Sequence, residues 1–399
     1  MKHSKHLYYH LSRRRFIKGS LAAGGVIVGA PAVLKGLTRQ AKADYEPGVI
    51  RFRAAGTTAT PGDWSLFEKE TGLKMVATVE KDDPGVFYND VMVNDAGDRF
   101  DIYLSLAGVQ QTLAEGGWVL PIDGSRLKNW AGVSSDVKDI PLLKPDAEGQ
   151  NWGVPIYMNA DTFGYFPADL DEPRPPDPVS WGLIFDSEKT MGRVSIDDNY
   201  FSLSWAAGYM KAAGLADISD SANMTASEVE TVADYMIERK KAGQFRNLWN
   251  TYDDQISNFV NGEVLAMRCW EPAVKDARGQ GLDVVYAVTD EFYIKWMQAA
   301  FIPSQAEDRN LDEIYTAIDW LLGGGYAATL TPLRGYVTSR PDLGLEYAKE
   351  MEMGDDVVAS MEENLFKIEV KFAQPEFWFS GVPDTLAEHE RHMARFKNV

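Results

Sequence analysis

Cysteine is almost absent. Cys269 is the one thiol in 399 residues, so no disulfide can close within the chain. A lone thiol of this kind reads as a small buried apolar group. Histidine is nearly as scarce: His3, His6 and His10 open the chain, and His389 and His392 are the remaining two. A His-x-x-His pair with no clear third ligand makes a weak zinc site. One cysteine with no histidine placed beside it argues against thiol catalysis. There is no G-x-S-x-G elbow and no P-loop. Apolar runs are short as well. The stretch Gly19 to Leu34 is glycine-rich and falls below the roughly 20 residues of a membrane span. Positive charge is in deficit, with 40 Lys and Arg against 59 Asp and Glu and a net charge of −19. Such a chain repels nucleic acid and anionic lipid.

What basic charge there is begins the chain. "SRRRFIKGSLAAGGVIVGAPAVL" places Arg13, Arg14 and Arg15 before a weakly apolar segment. Basic, then apolar, then a small-residue cut site is the layout of an export signal. Ser12 to Lys18 follow the Ser-Arg-Arg-x-Phe-x-Lys pattern of the twin-arginine route. Ala41-Lys42-Ala43 supplies an A-x-A site, so residues 1–43 read as a leader and Asp44 as the mature start. The leader carries nine Lys or Arg and no acid, which leaves 31 basic against 59 acidic residues, a net charge of −28. Export of an already folded chain, to the bacterial periplasm or beyond, agrees with the single cysteine.

The 356 residues that follow suffice for two lobes with separate cores. "VIRFRAAGTTATPGDWSLFEKETGLKMVATVE" reads as strand, loop, helix, strand. Val49 to Phe52 begin the first strand, Trp64, Phe67 and Leu73 give the helix its apolar side, and Gly72 ends it. "RFDIYLSL" is a third strand. A second strand–helix series runs from Gly192 to Val288. This alternation predicts an α/β fold with a largely parallel sheet. "DEPRPPDP", residues 171–178, is an acidic, proline-rich surface loop.

Several segments then resemble one family. "FEKETGLKM", "RFDIYLSL…LAEGGWVLPID", "WGVPIYMNADTFGYF", "PVSWGLIFD", "ISNFVNGEVLAMRCWEP" and "AAFIPSQAEDRNLDEIYTAIDWLLG" occur in the order found in bacterial extracellular solute-binding proteins. They are most similar to the spermidine/putrescine-binding type, the receptor subunits of ABC importers. The resemblance spans about residues 46–340. It implies a two-lobed periplasmic-binding-protein fold with a hinge and a ligand cleft. Lobe one would comprise 44–160 plus 294–338, and lobe two 161–293 plus 339–399. Ligands of open α/β sheets bind beyond the carboxyl ends of the strands, which supports a cleft independently.

The same resemblance implies cleft positions. After the first strand the polyamine binders carry an aromatic residue and an acid; here stand Thr57 and Thr58, able to donate hydroxyl hydrogen bonds or to form a plain turn. Ser105 matches the serine after the third strand. Tyr157, Asn159 and Asp161 fall at the lobe crossing, where Asp161 could equally be a cap. In "IDDNYF" an expected acid is replaced near Tyr200 or Phe201. Trp270 aligns with a cleft tryptophan; the acid three residues later is Ala273, with Glu271 adjacent. Arg268, two residues earlier, shares a strand face with Trp270. Trp296 and Gln298 stand where the family has an aromatic and an acid, and Tyr336 is another cleft position, with Arg334 close by.

Polyamines need carboxylates and aromatic faces to replace their water. The aromatic walls persist here, whereas most of the matched acids do not, and arginine appears at two positions. The expected ligand is therefore a zwitterion or small organic anion, gripped by Arg268 or Arg334 through bidentate hydrogen bonds; in so acidic a chain Arg268 could equally pair with a structural acid. Two alternatives remain open. One is a true putrescine/spermidine receptor; the other is a sensor that presents ligand to a membrane chemoreceptor. The expected partners are a permease and an ATPase, with the receptor itself a monomer and no cofactor or metal. The one Tyr-Tyr pair, Tyr8-Tyr9, is in the leader, which disfavours ferric iron.

Overall fold

The computed structural model describes residues 46–56, 60–81, 83–140, 143, 149–372, 379 and 382–399. The expected leader, with its twin-arginine and A-x-A features, lies outside these residues. In chain order the strands are β1 (Val49–Ala55), β2 (Lys74–Glu80), β3 (Ile102–Leu106), β4 (Val154–Asp161), β5 (Phe163–Tyr165), β6 (Val194–Asp197), β7 (Phe245–Trp249), β8 (Ala266–Arg268), β9 (Val285–Tyr286), β10 (Ile294–Phe301) and β11 (Val337–Thr338). They form two sheets, ordered β11-β4-β10-β3-β1-β2 and β7-β6-β8-β5-β9.

The parallel pairings expected from the strand–helix alternation are present. β1 runs parallel to β2 and β3, and β6 runs parallel to β7 and β8. The helix after β1, Ser65–Thr71, buries Phe67 and stops at Gly72, whose φ of 70° is a left-handed cap that glycine adopts without strain. Both sheets are nevertheless mixed. β10 is antiparallel to β3 and β4, and β5 is antiparallel to β8 and β9. The reason is connectivity: a parallel neighbour requires a long crossover, whereas these strands carry the chain directly from one sheet to the other.

The first crossing is a single residue, Thr162, between β4 and β5. The return runs from β9 to β10. Thr162 Oγ1 donates to the Ala287 carbonyl at 3.0 Å, and Ala287 N–H donates to the Phe163 carbonyl at 2.9 Å, so the two crossings are tied together. β4 and β10 are buried along their whole length. Strands covered on both faces are normally continuous apolar runs. Asn159, Asp161, Lys295 and Gln298 break that rule, and buried polar groups need partners.

Beyond β11 the chain divides. The segment 339–399 was expected to lie in the second lobe. Instead, helices Pro341–Glu350 and Asp355–Lys367 pack on helix Gly324–Arg334, which itself packs on Ser65–Thr71 beside the first sheet. Helix Leu386–Lys397 does pack with the second unit, against Ala226–Lys241. Helix Asp355–Lys367 is followed by one wider turn, Ile368–Phe372, whose last carbonyl accepts from Lys295 Nζ on β10 at 3.0 Å.

Candidate functional site

The register of β4 and β10 assembles the first wall. Trp296 lies opposite Asn159, Gln298 opposite Tyr157, and Ile294 opposite Asp161. Alternation along each strand therefore puts Tyr157, Asn159, Asp161, Trp296 and Gln298 on one face. Tyr336, just before β11, stacks on Tyr157 with centroids 5.2 Å apart and planes within 4°. Trp296 meets both rings edge-on, at 5.8 and 5.1 Å. Three sequence-expected residues thus form one aromatic block, in geometries that such rings favour.

Both terminal nitrogens of Arg268 are engaged by carboxylates. Nη1 donates to Asp197 Oδ1 at 2.8 Å and Nη2 to Asp161 Oδ2 at 3.1 Å, with all three side chains buried. Trp205 and Trp249 flank it, with ring centroids 4.9 and 5.8 Å from the guanidinium carbon, and Trp205 Nε1 donates to Asp197 Oδ2 at 3.0 Å. Of the two readings open for Arg268, an oxyanion grip or a pairing with structural acids, these ion pairs match the second. In a water-poor interior a bare guanidinium would be costly, and two carboxylates neutralise it. Asp197, at the end of β6, was noted in the sequence only as part of an "IDD" stretch.

Asp161 sits at the hinge between two demands. Burial pushes its carboxyl up to about 6, while Arg268, the Trp296 indole and the Tyr286 hydroxyl pull the other way. Asn159 Nδ2 donates to Asp161 Oδ1 at 3.0 Å and to Glu271 Oε2 at 3.1 Å, so one amide bridges the two acids. Glu271 opens helix Glu271–Gly279, directly after Trp270. Burial alone would raise its carboxyl, but Lys367 and Lys371 together with Asn159 hold it below the ordinary range.

Those two lysines are what the sequence reasoning missed. Lys367 Nζ lies 2.5 Å from Glu271 Oε1 and donates to the Gly335 carbonyl at 3.0 Å. Lys371 places its ammonium over the rings of Tyr286, at 4.8 Å, and Tyr293, at 5.6 Å. Burial brings Lys371 down to about 8, opposed by Glu271 and Asp161. The spacing Lys367-x-x-x-Lys371 was readable, yet nothing local says that such a pair turns inward. Gly335, with φ of 76°, lets the chain turn close to Glu271; a Cβ there would stand 3.0 Å from Glu271 Oε1.

The other expected positions scatter. Thr57 and Thr58 lie outside the described residues. Ser105 is buried opposite Ala299, on the face that alternation turns away from Gln298. Trp270 is half-buried and stacks with Tyr252, 6.3 Å away, at the margin of the acid cluster. Arg334 ends its helix within electrostatic reach of Tyr252, whose hydroxyl donates to Asp276 at 2.7 Å. On the far side, a groove of about 270 Å³ opens between Asp83–Tyr88 and Asp198–Tyr200, beyond the carboxyl ends of β2 and β6. That is where open α/β sheets bind ligands.

Comparison with known proteins agrees with this architecture. The family model described as bacterial extracellular solute-binding protein matches residues 66–355. The spermidine/putrescine-binding periplasmic protein of Escherichia coli K12 is 23% identical over 344 residues, covering 86% of this chain and 89% of that one. Its Salmonella typhimurium counterpart is 22% identical over 338 residues, covering 84% and 88%. A spermidine/putrescine ABC transporter substrate-binding protein from Streptococcus pneumoniae superposes with a TM-score of 0.66 at 13% identity, over 88% of this chain and 98% of that one. The PBP AgtB from A. tumefaciens R10, in complex with agropinic acid, superposes with a TM-score of 0.57 at 14% identity, over 89% and 98%. The solved neighbours include a substrate-binding protein of an ABC transporter, and the two-lobed periplasmic-binding-protein fold is shared. The chain belongs to the bacterial extracellular solute-binding protein family.

Proposed function

We propose that the cleft captures a small solute carrying two ammonium groups and presents it to the permease and ATPase of an ABC importer. One observation carries this reading. Three carboxylates are buried together: Arg268 pairs with Asp161 and Asp197, while Glu271, bridged to Asp161 by the Asn159 amide, is met by ammonium groups. A site that accommodates ammonium beside Glu271 is complementary to a diamine. The aromatic block of Tyr157, Trp296 and Tyr336 suits the alkyl stem and the cationic ends. Relatives named for spermidine and putrescine support the same class. A neighbour holding agropinic acid means that the fold by itself does not choose the charge of the ligand.

The lobes in this reading are 46–161 with 294–367, and 162–293 with 382–399, closing about Thr162 and the 287–293 return. The protein acts as a monomer that binds rather than transforms its ligand. Residues 1–43 direct it through the twin-arginine route. A thermal-shift panel of putrescine, spermidine, amino acids, betaines, dicarboxylates and sulfonates tests the ligand class. A ligand at a hundred times its Kd adds about 2.7 kcal/mol, a readable shift. Diamines should give it. A shift with dicarboxylates alone would refute the proposal.

A further inference from the structure

We infer that Lys367 and Lys371 are a tethered internal occupant of the cleft, which the arriving solute displaces. The inference rests on the proposed cationic ligand and adds what competes with it.

The arm starts from the first unit. Helix Asp355–Lys367 packs on Gly324–Arg334, and its last side chain reaches across to Glu271 on the first turn of a second-unit helix. The Lys367–Glu271 pair therefore bridges the two units, with both side chains less than a tenth exposed. One turn on, Lys371 is buried against Tyr286 and Tyr293, within electrostatic reach of both Glu271 and Asp161. Lys295 Nζ donates to the Phe372 carbonyl at 3.0 Å and fixes the end of the arm.

Burying an ammonium costs several kcal/mol unless a partner repays it, and a plain strap would be cheaper with apolar side chains. This arm instead brings two positive charges to the acid cluster. The arm so presents two ammonium groups, the charge of the proposed ligand, on a covalent tether. A tethered competitor acts at an effective concentration set by its linkage, and it lowers apparent affinity by the fraction of cleft left open. The consequence is a raised threshold for capture and a cleft bridged even without solute.

Hydrogen exchange on the full chain, with putrescine as the probe, reads the displacement directly. Saturating putrescine should speed exchange in 364–372 while slowing it in 154–161. Ligands ordinarily slow exchange at their site, so faster exchange in the arm is diagnostic. Putrescine binding with 364–372 slowed or unchanged would overturn the inference and leave the ligand class standing. The double variant Lys367→Gln, Lys371→Gln should bind putrescine about tenfold or more tightly than the wild type, by removal of the internal competitor. Unchanged or weaker binding by a variant that still melts cooperatively would count against displacement. If neither protein binds putrescine by calorimetry, the cationic-ligand reading itself fails and the displacement with it.

Discussion

Arg268 ties Asp161, at the hinge end of β4, to Asp197, at the end of β6, with one guanidinium at 3.1 and 2.8 Å. The triad fixes the second sheet against the crossing strand, so Arg268 is a structural cation. Arg268→Ala leaves two buried carboxylates without their partner. Such losses cost about 3–5 kcal/mol. Urea denaturation should show that decrease. A variant of wild-type stability that had lost binding of a carboxylate ligand would restore Arg268 as an anion selector.

Asp161 should give the stability curve a pH signature. Its carboxyl is raised from 3.8 to about 6, by burial first. A carboxyl that binds its proton more tightly when folded stabilises most below the unfolded value and loses that share as pH rises through the folded one. Asp161→Asn removes this slope. The melting temperature of the variant minus that of the wild type should therefore rise between about pH 4 and pH 6, the window set by those two values. Glu271, whose carboxyl is lowered, contributes with the opposite sign, and the subtraction largely cancels it. A difference that is flat or falls with pH would contradict the burial of an ionisable Asp161.

Gly335 is a sharper probe of the arm's seat. Its φ of 76° is unfavourable for alanine by about 1–2 kcal/mol. The added Cβ would also stand 3.0 Å from Glu271 Oε1, beside the carbonyl that Lys367 uses. Gly335→Ala should lower stability by roughly that amount and change diamine affinity as well. Loss of stability with unchanged binding would separate this turn from the cleft.

Much of this was legible in the residues, for physical reasons. β1, β2 and β3 carry local patterns of apolar residues between glycine and proline breaks, and the order of motifs placed Tyr157, Asn159, Asp161, Trp270, Glu271, Trp296 and Tyr336 near one another. For Arg268 the sequence left two readings open, an oxyanion grip or a pairing with structural acids, because its partners come from elsewhere in the chain: Asp197 is 71 residues away and Asp161 is 107. Sequence shows an arginine two residues from a tryptophan, but not what charge waits across the sheet. Lys367 ends a helix of ordinary amphipathic appearance, 96 residues from Glu271, and Lys371 lies in the wider turn that follows it. Only the packing of that helix turns them inward.

The leader makes its own prediction. Replacing Arg13 and Arg14 together by lysine keeps the charge and removes the paired guanidinium groups of the Ser12–Lys18 pattern. The precursor should then accumulate in the cytoplasm, as judged by fractionation of the expressing bacterium. Normal export of the variant would point to a general secretory signal instead.

The central claim, a cleft built for ammonium groups around Glu271, is tested most directly by titration calorimetry of the purified protein and of Glu271→Gln with putrescine and, separately, succinate. The account predicts that putrescine binds the wild type and succinate does not. It predicts a loss of about tenfold or more in the variant, since a hydrogen bond to a charged group is worth about 1.5–3 kcal/mol. Binding of succinate but not putrescine, or equal putrescine affinity in both proteins, would contradict it.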